Sequence, residues 1–103
     1  MTIYEHRALV TVSGGSANTT TLNVRGGPLT NVLIRALTAP TTTMFRASLS
    51  DDNSVVRLNW GYHTGEINDQ AIRFPMAGYY TLQITNASAT DTFRVILAVE
   101  EPA

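Results

Sequence analysis

Phe74-Pro75-Met76-Ala77-Gly78-Tyr79-Tyr80-Thr81-Leu82-Gln83-Ile84-Thr85 decides the fold of this 103-residue chain. Tyr80, Leu82 and Ile84 alternate with Thr81, Gln83 and Thr85, a period of two that gives a strand one apolar and one polar face. Pro75 lacks the N–H that a sheet ladder needs, and Gly78 tolerates a positive φ, so the chain turns between them. A strand ending at Phe74 therefore feeds one starting at Tyr79.

The same period recurs on both sides. Tyr4, His6, Ala8, Val10 and Val12 alternate with Glu5, Arg7, Leu9 and Thr11, and Ser13-Gly14-Gly15-Ser16 closes this first strand. Thr20, Leu22 and Val24 define a second strand, ended by Gly26-Gly27-Pro28. Between Asn31 and Ala39 the run Val32-Leu33-Ile34-Arg35-Ala36-Leu37 is apolar on both faces except at Arg35, and its β-branched residues favour a strand over a short helix. Such a strand is central and covered twice, or it meets another subunit. Phe45, Ala47 and Leu49, then Val56, Leu58 and Trp60, form a hairpin across the turn residues 50–54. Residues 61–69 hold few apolar side chains and read as the longest irregular loop. Strands over 71–74, 79–85 and 93–99 complete the set. Eight strands with evenly spaced turn signals predict an all-β, antiparallel β-sandwich in one domain spanning residues 1–103, jelly-roll-like, with an immunoglobulin-like topology as the alternative.

Composition narrows the function. Formal net charge is −1, against the basic field expected of a nucleic-acid binder. The seven basic residues are all Arg (7, 25, 35, 46, 57, 73 and 94) and read along the chain as dispersed over the surface. The absence of Cys excludes disulfides, thiolate metal sites and cysteine nucleophiles. Residues 1–7 carry charges where a secretory signal needs an apolar run, and no later run reaches membrane-spanning length, so the expectation is a soluble chain that meets no membrane.

The segment Phe74 to Leu82, an aromatic and Pro, then Ala-Gly, one residue, Tyr and alternation, resembles a pattern found in many antiparallel sandwiches. Among them are jelly rolls of the tumour-necrosis-factor and complement-C1q type, bacterial immunoglobulin-like modules and some carbohydrate-binding modules. In overall type the chain is similar to small phage virion proteins that decorate or cement capsids: Cys-free, all strand, rich in Thr, Asn, Ala and Gly. That resemblance implies a virion location and a major capsid protein as partner; without it, the expected location is cytoplasmic.

Four groups of residues are candidates for chemistry. Trp60, Tyr62, His63, Glu66 and Asp69, with Asn59, combine aromatic faces with amide and carboxylate groups, as a surface-glycan or peptide site does; the competing reading has Trp60 closing the core. His63, Glu66 and Asp69 could supply metal ligands, but spacing means little in a loop, and no metal or other cofactor is expected. Asp51-Asp52-Asn53 lacks the later Gly and Glu of a calcium loop and reads as a turn. His6 and Glu5 point to opposite faces of one strand, so they form no acid–base pair. No nucleophile–base set or phosphate-cradling glycine pattern is recognisable, hence no catalytic residues are assigned and no enzymatic activity is expected. The leading expectation is a structural protein forming a small homo-oligomer, a trimer by preference, through Leu9, Leu33, Leu37 and Ile96, apolar residues on faces that alternation assigns to solvent. The alternative is a carbohydrate- or ligand-binding module using residues 59–69.

Overall fold

In the computed structural model, which describes residues 2–24, 28–51, 53–75 and 78–101, the alternation becomes eight antiparallel strands. They are β1 (Thr2–Val12), β2 (Ala17–Val24), β3 (Pro28–Ala36), β4 (Met44–Asp51), β5 (Val56–Thr64), β6 (Glu66–Pro75), β7 (Gly78–Asn86) and β8 (Asp91–Glu101). Sheet I has the order β1-β8-β3-β6, and sheet II the order β2-β7-β4-β5. Only β4 and β5 form a hairpin between sequence neighbours. Outside it, β3 pairs with β6, β2 with β7 and β1 with β8, all antiparallel. One long ribbon is thus wound around a barrel-like core, which is the jelly-roll arrangement and not the immunoglobulin one.

The quoted stretch spans a crossing between sheets. β6 ends in sheet I at Pro75, β7 begins in sheet II at Gly78, and Gly78 has φ 109°. Met76 and Ala77, in the turn itself, lie outside the described residues, as do Arg25, Gly26 and Gly27 after the second strand. Tyr80, Leu82 and Ile84 of β7 are buried. They face Leu29, Ile34, Phe93, Val95 and Leu97 of sheet I across a core joined towards one end by Phe45 and Phe93. Those two rings lie 4.6 Å apart at 55°, a tilted contact worth about 1 kcal/mol beyond area burial.

Residues 61–69 depart from expectation. They are strand: β5 runs on to Thr64, Gly65 turns the chain, and β6 starts at Glu66. Both are edge strands, with one neighbour each and largely exposed side chains, so the alternation that marks a covered strand is lost. A β-bulge sets Gly61 and Tyr62 opposite Arg46, between the pairs Ala47–Trp60 and Phe45–His63.

Two buried polar side chains hold the strand ends. Asn86 donates from Nδ2 to the carbonyls of Val12 (3.3 Å) and Ala89 (2.8 Å) and accepts from the Ser88 N–H (2.9 Å). Asp91, 2% exposed, accepts from the N–H groups of Thr38 (2.8 Å), Ala39 (3.2 Å) and Thr92 (2.8 Å) and from the Thr43 hydroxyl (2.7 Å). This carboxylate fixes the connection from β3 to β4 against the start of β8.

Candidate functional site

Sheet I places Leu9, Leu33, Leu37 and Ile96 on one surface. In β1 the inward residues are His6, Ala8, Val10 and Val12, which leaves Ile3, Glu5, Arg7, Leu9 and Thr11 pointing out. The register then carries the outer face across the sheet: Leu9 lies opposite Arg94, Arg94 opposite Arg35, and Arg35 opposite Glu66. The next row runs Arg7, Ile96, Leu33 and Asn68. Leu37 follows β3 on the same side, and its N–H donates to the Thr92 carbonyl at 2.9 Å. Leu9 is 67% exposed, Ile3 48% and Leu37 38%, while Leu33 and Ile96 are half-buried by their neighbours.

The arginines are less dispersed than their sequence spacing suggests. Arg7, Arg35 and Arg94 share this face because strands distant in sequence are neighbours in the sheet. Glu5 ion-pairs with Arg7. Arg35 and Arg94 stand directly opposite one another, and among the described residues neither makes an ion pair. Like charges in that position repel, and the acidic residue of that row, Glu66, stands on the far side of Arg35 from Arg94. A depression lined by Arg7, Ala8, Leu9 and Arg94 adjoins them.

The residues Trp60, Tyr62, His63, Glu66 and Asp69 do not converge. Trp60 points inward, is 8% exposed and donates from Nε1 to Asp69 Oδ2 at 2.6 Å. That bond links the edge of sheet II to the edge of sheet I and closes the side of the sandwich. Tyr62 lies on the outer face of sheet II, 51% exposed, with the Arg46 guanidinium 5.4 Å from its ring centre. His63 is exposed near the end of β5, and Glu66 faces outward on sheet I. Among the described residues no three His, Asp or Glu side chains come together in a metal-binding group. Asp51 uses its carboxylate to build the β4–β5 turn, accepting from the Asn53 and Val55 N–H groups and from Arg57. The Val55 N–H leads the influences that hold its pKa below the usual value. His6 is half-buried on the inner face of β1, with a buried Nε2 that meets no hydrogen-bond partner among the described residues, while Glu5 points outward.

Because Trp60 is the chain's one Trp, its environment can be read directly. Its emission is expected to be poorly quenched by iodide, and Asp69→Ala is expected to cost about 1 kcal/mol through the lost indole bond. Strong quenching in the native protein would place the ring in water and contradict this packing.

No protein-family model and no curated protein matches the chain. Solved structures do match in fold. The Yersinia pseudotuberculosis-derived mitogen superposes with a TM-score of 0.54 at 9% identity, covering 97% of this chain and 89% of that one. FlhE gives a TM-score of 0.54 at 15% identity, with 97% of each chain covered. The Drosophila NLP core gives 0.53 at 11% identity, covering 96% of this chain and all of that one. At such identities the likeness is one of architecture, and function has to be argued from surfaces.

Proposed function

We propose that this chain is a non-catalytic assembly protein that associates with copies of itself through the outer face of sheet I. The observation that carries this reading is the gathering of Leu9, Leu33, Leu37 and Ile96, with Ile3, on one sheet face. Burying such side chains against a second apolar face contributes about 25 cal/mol per Å². Charge also favours self-association. The face holds Arg35 and Arg94 without ion pairs and Glu66 at its edge, so it carries both signs that a self-complementary contact needs. Assembly is compatible with the architecture: the Drosophila NLP core, which shares it, is described as forming a pentamer. The resemblance to capsid-decorating phage proteins makes a virion shell the larger structure in which such an oligomer would sit.

Light scattering at micromolar concentration tests the proposal. The unmodified chain is expected to run as a discrete oligomer, and Leu9→Asp to weaken association at least about tenfold while leaving the circular dichroism unchanged. Leu9 is mostly exposed, so the substitution places a charge in water in the monomer and in an apolar contact only in the oligomer. A native monomer under the same conditions would refute self-association through this face.

A further inference from the structure

The outer face of sheet II is built from a different chemistry. Thr19, Gln83, Ser48 and Asn59 stand in one unbroken row across all four strands, each directly opposite the next. The flanking rows are Thr21, Thr81, Ser50 and Val56 on one side and Thr85 and Arg46, with Tyr62 in the bulge, on the other. At ordinary strand spacing the three rows cover a patch about 14 Å on each side. Two depressions, of about 210 and 250 Å³, share Ser48, Val56 and Gln83, so they form one continuous trough over these rows.

Three properties of the trough bear on what fits it. Among the described residues, the side chains of Ser48, Asn59, Thr81, Gln83 and Thr85 make no hydrogen bond within the chain, so their donors and acceptors are not spent on the fold. The central row and the Thr21 to Val56 row carry no charge, which disfavours nucleic acid, and little apolar area apart from Val56, 54% exposed, which disfavours a protein partner. The aromatic face of Tyr62 and the Arg46 guanidinium stacked on it lie at one end, and Asp51, already engaged by Arg57, at the other.

We propose that this trough binds a neutral oligosaccharide. Sugar hydroxyls both donate and accept, as do the amides of Asn59 and Gln83 and the hydroxyls of Ser48 and Thr81, while Val56 and Tyr62 offer surface to the ring C–H faces. The site is separate from the sheet I face, on the opposite side of the sandwich, and shares only Asn59 and Tyr62 with the group read from sequence.

The test is a heteronuclear NMR titration of the full chain with cellohexaose, laminarihexaose, maltohexaose, chitohexaose and xylohexaose at millimolar concentration, alongside a printed glycan array. The expected result is that at least one saccharide shifts the side-chain amide signals of Asn59 and Gln83, and that Gln83→Ala weakens it at least about tenfold. Gln83 and Asn59 are exposed, so Gln83→Ala and Asn59→Ala should leave the rest of the spectrum in place. Leu9→Asp, which addresses self-association, should leave saccharide binding intact. Silence across both panels, or binding that survives Gln83→Ala and Asn59→Ala together, overturns the assignment.

Discussion

Asp91→Ala is expected to cost about 3 to 4 kcal/mol, lowering the midpoint of thermal unfolding by on the order of 15 °C. The side chain is 2% exposed, and its removal takes the acceptor from the part-buried N–H groups of Thr38, Ala39 and Thr92 and from the buried hydroxyl of Thr43. Desolvation, the strongest single influence, pushes the Asp91 carboxyl up. It is outweighed by the Thr43 hydroxyl and the Thr38 and Ala39 N–H groups, which bring the pKa down from 3.8 to about 2. The folded pKa is thus below the unfolded one. Its contribution, about 2 kcal/mol, is present above pH ~4 and is lost as pH falls towards pH ~2. Asp91→Asn should flatten that acid limb, as seen by chemical denaturation at a series of pH values. An alanine variant melting within about 3 °C of the native chain would show that the carboxylate does not clamp the β3–β4 connection.

Gly65→Ala carries the second large effect. Gly65 has φ 75°, and a Cβ placed on it would lie 1.8 Å from the Pro40 carbonyl oxygen, a backbone atom that cannot swing aside. The same residue donates its N–H to Thr43 and accepts from the Ala36 N–H at 2.9 Å, so relieving the clash pulls on both sheets. A cost of about 3 kcal/mol or more is expected from strain and overpacking combined. Gly61→Ala is the control, since a Cβ there meets no atom within 4 Å and φ is not positive. Equal melting temperatures for the two variants would refute the close approach.

Much of the fold is legible wherever one face of a strand is covered. Val10 and Val12, Phe45 and Leu49, Leu82 and Ile84, and Phe93 through Val99 all announce themselves by alternation, because a pleated strand over a core cannot do otherwise. Legibility fails along the edges. Residues 61–64 and 66–70 look like a loop because an edge strand is held by backbone bonds to one neighbour, which leave little trace in side-chain choice. Pairing is also hidden. Nothing in the local sequence says that Arg94 will stand beside Arg35, or that Thr19, Gln83, Ser48 and Asn59 will align, since these rows join strands as far apart in chain order as β3 and β8 or β2 and β7. The apolar face fares better: Leu9, Leu33, Leu37 and Ile96 are visible as exceptions to alternation, and the register adds that they are neighbours. Trp60 shows the opposite limit, an aromatic beside polar residues that reads equally as ligand platform or core seal until its bond to Asp69 is seen.

β8, made after the other seven strands of the sandwich, occupies the interior of sheet I between β1 and β3. A ribosome therefore releases seven strands before the piece that unites one half of the molecule exists. Until then β1 has no ladder partner in its own sheet, and its backbone N–H and C=O groups along that edge go without the strand that pairs them. Closure over such long chain separations is slow, on the order of milliseconds to seconds, and newly made copies are vulnerable to mispairing during that interval.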